Sequence, residues 1–363
     1  MRIAIIGTRG IPNNYGGFEQ LAELLSIYLV EQRHEVFVYN SNMHPYQKDI
    51  FKGVNIIHCY DPEKKIGTVG QFMYDLNCIL DARKRNYDII LQLGYTSSSI
   101  WSFLFPSKAI IITNMDGLEW KRNKYSMLAK KFLSYAESLA VKKSDFLISD
   151  SKGIKKYIKN KYNKDSKYIA YGGDIFDNPN EEVLIKYKVE KFNYNMLIAR
   201  FEPENNIDVI LKGITSTNHN TNFLIVGNYN MNKYGKGLKN KYQNNSKIQF
   251  LGGIYDINEL NNLRYYSNFY FHGHSVGGTN PSLLEAMASK ALIIAHDNEF
   301  NKYILENDAY YFKTSNDVKL LVEKIKRIEE NTKLEKNLNK IKLFYNYDNI
   351  NQSYLSFFNE CIS

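Results

Sequence analysis

Apolar positions along this chain fall into short runs, separated by longer stretches in which they recur every three or four residues. In the first half the runs are Ile3–Ile6, Val36–Tyr39, Val54–His58, Ile89–Leu93, Ala109–Thr113 and Phe146–Ser149. They are rich in β-branched side chains and too short for helices, which predicts buried strands. The stretches between them, Glu19–Glu31 for example, carry the helical period. The second half repeats the design, with strands predicted over Asn195–Ala199, Asn222–Val226, Lys247–Phe250, Phe269–Phe271 and Leu292–Ala295. Strands alternating with helices imply parallel, doubly wound sheets and an α/β fold class. Residues 171–182 hold turn formers without a period and read as a linker. At 363 residues the chain exceeds one typical core, so two domains are expected, over residues 1–175 and 190–344.

Composition narrows the class. A hydrophobic content of 44% suits a globular protein, and no run is long and apolar enough to span a bilayer. The opening run Met-Arg-Ile-Ala-Ile-Ile-Gly reads as a strand and lacks the design of a signal peptide. Cys59, Cys78 and Cys361 show neither metal-ligand spacing nor a disulfide framework, which points to a reducing cytoplasm. Charge is unevenly spread. Residues 121–161 contain twelve Lys and Arg against Glu137, Asp145 and Asp150, a local +9 that equals the net charge of the whole chain. Lys121, Arg122, Lys124, Lys130 and Lys131 open this region, which calls for an anionic partner. Leu128, Phe132, Tyr135 and Leu139 recur beside the lysines at helical spacing. The stripe fits a helix lying on an anionic membrane surface, or equally a core-facing helix with a solvated basic edge. No nucleic-acid recognition motif accompanies it.

The candidate chemistry centres on residues 272–286, HGHSVGGTNPSLLEA. An apolar strand precedes this turn and Pro281 opens a helix after it. A small glycine-rich turn at the carboxyl end of a sheet strand suits a phosphorylated ligand, because helix N-terminal amides lack partners and the helix dipole favours an anion. Glu285 falls about one helical turn further on, within reach of a sugar hydroxyl, so an anion attached to a polyol is expected. His274 stands beside the turn, whereas His272 is expected to pack. A second glycine loop, Gly7 to Gly17, follows the first strand and opens a helix, and its amides could cradle phosphate. It is not Gly-x-Gly-x-x-Gly, and Tyr39-Asn40 stands where a dinucleotide fold needs an acid, which disfavours a nicotinamide cofactor. Neither Asp-x-Asp nor clustered His and carboxylate ligands occur, so no metal and no cofactor are expected.

The run from His274 to Glu285, with the Ala-Met-Ala-Ser that follows, resembles the donor-binding signature of retaining GT-B glycosyltransferases of the family 4 type. Glu285 matches the second glutamate of that signature, while Gly277 stands where the first would fall. The resemblance implies two Rossmann-like domains facing across a cleft, with a helix at about 345–363 returning to the first. It implies a nucleotide-sugar donor contacted by Gly277, Gly278, Thr279, Asn280, His274 and Glu285, with Gly16 and Gly17 matching by position. Arg200 is similar to the arginine that these enzymes offer to the donor diphosphate. Asn205 replaces the lysine expected five residues later, leaving part of the charge to Arg9 or backbone amides. Residues 251–255 correspond to the base-holding segment, with Tyr255 available to stack. The run Asp116 to Arg122, DGLEWKR, looks like that of bacterial rhamnosyltransferases of cell-surface polysaccharide synthesis. There Asp116 is the candidate for orienting or deprotonating the acceptor hydroxyl, Glu119 is its rival, and helix capping is the alternative. The subgroup implies dTDP-L-rhamnose as donor and a lipid-diphosphate-linked saccharide as acceptor, on the inner face of the plasma membrane. A UDP- or GDP-sugar transferase, a nucleotide-sugar 2-epimerase and a non-catalytic nucleotide-sugar-binding protein are the other readings.

Overall fold

The computed structural model describes every residue except Asp116, Asn123, Lys124, His219 and Asn220. The chain divides into two compact units, the first formed by Met1–Lys121, Tyr125–Tyr171 and Tyr347–Ser363, the second by Arg122 together with Gly172–Asn346.

Among the described residues the first unit contains strands β1 (Arg2–Ile6), β2 (Glu35–Ser41), β3 (Ile50–Phe51), β4 (Val54–Cys59), β5 (Ile89–Leu93), β6 (Ile110–Asn114), β7 (Phe146–Ser149) and β8 (Lys167–Tyr168). They form one sheet in the order β3-β4-β2-β1-β5-β6-β7-β8, parallel throughout except for the β3–β4 hairpin. β1 lies between β2 and β5, with Ile3 paired to Val36 on one side and Ile89 on the other. The strand order therefore reverses between β1 and β5. The helices that serve the site are α1 (Gly17–Glu31), α2 (Val69–Ala82), α3 (Met127–Lys143) and α4 (Lys152–Tyr162). The strands of this sheet missed by periodicity, β3 and β8, are two residues long, too short to show a period, and in the second unit the three-residue β14 (Tyr310–Phe312) was missed as well.

In the second unit β9 (Tyr194–Ile198), β10 (Asn222–Val226), β11 (Ile248–Gly252), β12 (Phe269–His272), β13 (Ile293–His296) and β14 (Tyr310–Phe312) form a parallel sheet in the order β11-β10-β9-β12-β13-β14. Here the order reverses between β9 and β12. Phe223, Phe269, Phe271 and Phe312 line its core, against Ile210 and Leu211 of α5 (Ile207–Thr215). Helix α6 (Pro281–Ala288) follows β12.

Helix α7 (Tyr347–Ile362) belongs to the first unit. Tyr354 and Phe358 are fully buried, Phe357 meets Phe146 edge to face, and Asn114 donates its side-chain N–H to the Tyr354 hydroxyl at 3.0 Å. Lys167 and Glu360 close its outer edge at 2.8 Å. Burying an aromatic ring of this kind is worth several kcal/mol, and truncation adds a cavity term. Phe358→Ala should therefore destabilise the first unit by about 3–5 kcal/mol. Denaturant unfolding monitored by the aromatic signal should show it as a lower midpoint, and an unchanged midpoint would contradict this account of α7.

Candidate nucleotide-sugar site and the switch points of the two sheets

In the second unit the segments leaving β9 and β12 depart in opposite directions, and the crevice between them is where open parallel sheets bind ligands. Arg200 leaves β9, and residues 273–280 leave β12. The two segments touch. A Cβ on Gly273 would lie 2.0 Å from the Asn205 carbonyl oxygen, so only glycine permits this approach. Asn205, standing in place of the lysine of related signatures, donates its side-chain amide to the Arg200 carbonyl at 2.7 Å. It braces the loop from a buried position. The Arg200 side chain is exposed and makes no ion pair or hydrogen bond with any described residue.

His274 stacks on the buried His272 with ring centroids 4.4 Å apart, and its Nδ1 has no partner. Burial, then His272 and then Arg200, hold the His274 imidazole well below its usual value, so the ring is neutral near pH 7. Burial likewise lowers His272 to about 3. Asn298 and Asn301 fix the His274 carbonyl at 2.9 and 3.1 Å.

The amides of α6 differ from the expectation that its N-terminus lies open. Asn280 caps it. Its side-chain oxygen accepts from the Ser282 N–H and hydroxyl, and its carbonyl accepts from Leu283 and Leu284. The N–H groups without an acceptor among the described residues include those of Val276, Gly277 and Gly278, in the turn itself. Gly277 has φ +134° and open space where a Cβ would stand, so a glutamate there would be strained. Thr279 is buried. Glu285 does not project as a lone carboxylate, because one of its oxygens accepts from the fully buried Arg264. Tyr255 is exposed beyond the edge strand β11.

The first glycine loop differs from a wholly open cradle, because several of its amides face the chain's own side chains. Glu19 accepts from the Arg9 N–H at 2.9 Å, Glu23 accepts from the Asn13 N–H at 2.6 Å, and the Asn40 side-chain oxygen accepts from the Ile11 N–H at 3.0 Å. The Arg9 guanidinium is bound to Glu63 through its two terminal nitrogens, Nη1 and Nη2, and lies over Tyr15 at 4.7 Å. Gly16 and Gly17 do open α1, but the anion at that helix end is Glu19, and Arg9 is already paired.

A cavity of about 160 Å³ nevertheless opens at the β1–β5 switch point. Phe18, Asp75, Gly94, Thr96, Ser97 and Glu119 are among its lining residues. Asp75 is only 7% exposed, and Ser97 donates its hydroxyl to it. Burial raises the Asp75 carboxyl to about 7, against the Ser97 hydrogen bond. Glu119 begins a short 3-10 helix, Glu119–Lys121, and accepts from the Tyr125 hydroxyl at 3.4 Å. That segment is anchored by Glu137 of α3, which is 1% exposed. Glu137 accepts from Trp120 Nε1 at 3.1 Å, from the Tyr157 and Tyr162 hydroxyls at 2.7 Å each, and from Lys161 at 2.9 Å. Asp116 and Lys124 lie outside the described residues.

Helix α3 divides its apolar residues between a buried and an exposed face. Its core face is Leu133, Ala136, Ala140 and Val141, whereas Met127, Leu128, Phe132 and Tyr135 are exposed. Phe132 meets Phe72 edge to face at 5.7 Å, and exposed Phe103 extends the patch from the adjoining 3-10 helix Ser99–Leu104. Lys131 is exposed, Lys130 and Arg122 are partly buried, and Lys121 lies 5.5 Å from the Trp120 ring centre. No helix among the described residues is long and apolar enough to cross a membrane. Among the same residues no group of three or more His, Cys, Asp or Glu is placed to hold a metal ion.

Comparison with known proteins follows this division of the chain. Residues 1–174 match the family described as "Domain of unknown function (DUF1972)", and residues 180–342 match "Glycosyl transferases group 1". No curated protein matches the sequence. Among solved structures the chain is similar to a sucrose-phosphate synthase from Thermosynechococcus elongatus, at 16% identity and a TM-score of 0.80, covering 99% of this chain and 98% of that one. It is also similar to HepE of Anabaena in complex with UDP and glucose, at 15% identity and a TM-score of 0.74, covering 99% and 100%. WaaG, a glycosyltransferase involved in lipopolysaccharide biosynthesis, matches at 13% identity and a TM-score of 0.71, covering 97% and 98%. Most of the second unit thus matches the glycosyl transferases group 1 model, in a chain whose two parallel-sheet units have the GT-B glycosyltransferase fold.

Proposed function

We propose that the protein transfers a hexosyl group from a nucleotide sugar, held by the second unit, to a hydroxyl of a lipid-diphosphate-linked saccharide, with retention of anomeric configuration. The observation that carries this reading is the unpaired Arg200 guanidinium beside neutral His274 and the open amides of Val276, Gly277 and Gly278. As the bond between the anomeric carbon and the diphosphate oxygen breaks, negative charge gathers on the leaving diphosphate. A guanidinium and N–H groups already in place stabilise that charge more than they stabilise the intact donor. His274 contributes a ring N–H without adding a second cation. Glu285, anchored by Arg264, offers its other oxygen to a donor hydroxyl. On the acceptor side Asp116 takes the proton of the attacking hydroxyl or orients it, with Glu119 as the alternative.

The proposed donor is dTDP-L-rhamnose, from the likeness of residues 116–122 to the rhamnosyltransferase pattern. A UDP-sugar is the second reading, favoured by HepE, whose structures carry UDP, glucose and UDP-glucose. The exposed apolar patch of α3, with Lys130 and Lys131 beside it, supports docking on an anionic membrane face. Lys121, Arg122 and Lys124 are proposed to attract the lipid diphosphate.

Incubation of dTDP-, UDP- and GDP-sugars with a lipid-diphosphate-GlcNAc acceptor should yield glycosylated lipid, and Arg200→Ala should lower that turnover by at least about tenfold. Equal turnover would remove Arg200 from the reaction. Asp116→Ala should abolish product while nucleotide-sugar binding, measured by calorimetry, stays within about twofold of wild type. Retained turnover would reassign the acceptor-side role to Glu119. Replacing Leu128 and Phe132 by Ser should reduce co-sedimentation with vesicles of phosphatidylglycerol and phosphatidylcholine. Undiminished sedimentation would exclude the α3 patch as the membrane face.

A further inference from the structure

The cavity at the β1–β5 switch point contains a carboxyl group that the described residues do not neutralise. Asp75 projects from α2, is 7% exposed, and has one hydrogen-bond partner, the Ser97 hydroxyl on its Oδ2. The cation that acts on it, Arg9, is committed to Glu63. A buried carboxyl with so little compensation costs stability, and such a cost persists where a ligand completes the hydrogen bonding. The lining decides which ligand. Asp75 and Glu119 are its ionisable lining residues and no Lys, Arg or His lines it, so a phosphate or diphosphate finds no cation there. Phe18 supplies an apolar wall beside Gly94, where an added Cβ would come within 3.2 Å of its ring. The cavity, about 160 Å³, has room for a small ligand and not only for a single water. An aromatic wall with a hydroxyl and carboxyl oxygens opposite is the chemistry that recognises a neutral sugar, with its C–H face against the ring and its hydroxyls donating to oxygen.

We propose that this cavity seats one neutral sugar ring of the acceptor, and that Asp75, held by Ser97, is the positioning residue that accepts a hydrogen bond from a ring hydroxyl. The identification of that sugar as the acceptor rests on the transferase reading; the existence of the sugar subsite does not. The division of labour is electrostatic: the basic outer surface would attract the anionic portion of the acceptor, and the acidic cavity would admit only its uncharged saccharide.

The groups facing Asp75 are Arg9, Asp61, Ser97 and Glu119 from other segments, and Tyr74 and Cys78 from its own helix. Because the Asp75 carboxyl is raised to about 7, its protonated form supports the fold at low pH, and that support is lost as pH rises through about 7. Asp75→Asn should accordingly melt at a higher temperature than wild type near pH 8, with the difference closing toward pH 4, which also establishes that the variant is folded.

The binding test uses saturation-transfer NMR with the methyl glycosides of N-acetylglucosamine, rhamnose, glucose, galactose and mannose, run beside UDP and dTDP. At least one glycoside should bind wild type, more tightly at about pH 8 than at about pH 6, as the carboxylate forms. Asp75→Asn should weaken it about tenfold and flatten the pH profile, and Ser97→Ala should weaken it by a smaller factor, while nucleotide affinity is unchanged. No glycoside binding to wild type, or equal binding and an equal pH profile in the folded Asp75→Asn protein, overturns the proposal. Glycoside binding that depends on Asp75, in a protein that binds no nucleotide and transfers no sugar, upholds the subsite and counts against the transferase reading instead.

Discussion

Parallel strands cannot be joined by hairpins, so each connection must cross a face of the sheet, and in both units the strand order reverses once beside the first strand laid down. The connections on either side of that reversal diverge and leave a crevice that no side chain of the sheet can fill. In the second unit the crevice gathers Arg200, His274 and the open turn amides; in the first it gathers Asp75, Ser97 and Glu119. The same constraint produces two sites of opposite electrical character. One offers a cation and N–H donors, the other carboxyl acceptors. The proposed transfer, from an anionic leaving group to a neutral hydroxyl, would draw on both.

Around the first crevice, buried acids act as fasteners. Glu137 draws Trp120, Tyr157, Tyr162 and Lys161 onto one carboxylate and thereby fixes the short helix that carries Glu119. Four donors from several segments offset the desolvation of that charge, which a single partner could not. Glu19 does comparable work at the mouth of α1. Asp75 breaks the pattern, buried with one hydroxyl, and that contrast singles it out.

Periodicity was informative where burial was complete. β5 and β12, whose residues are all buried, are apolar along their length apart from Gln92 and His272, and both were legible as strands. β3 and β8 carry no such signature, because an edge of two residues has no period. The donor-side turn was readable as a glycine-rich strand-to-helix junction, since 273–280 are contiguous. The partner of Glu285 was not, because Arg264 is twenty-one residues away on another helix. The filling of the first glycine loop had a local signal. Glu19 stands three residues after Gly16, the spacing at which a glutamate reaches back to the backbone of a helix start. Asp75 had none: it is one acid on an amphipathic helix, and only the fold brings it to Ser97 and Glu119.

The membership of α7 in the first unit makes the second unit an insertion within the first. During synthesis the strands β1 to β8 emerge early, yet the helix that covers Phe146 and receives the Asn114 hydrogen bond follows roughly 175 residues later, about 10–35 s at ribosomal rates. Throughout that interval the face later occupied by Tyr354 and Phe358 is uncovered. The second unit, continuous in sequence from Gly172, can complete its sheet first. Nascent chains therefore carry a finished second unit while the first still has an apolar face awaiting its last helix, and the first unit is the one that calls for chaperone protection.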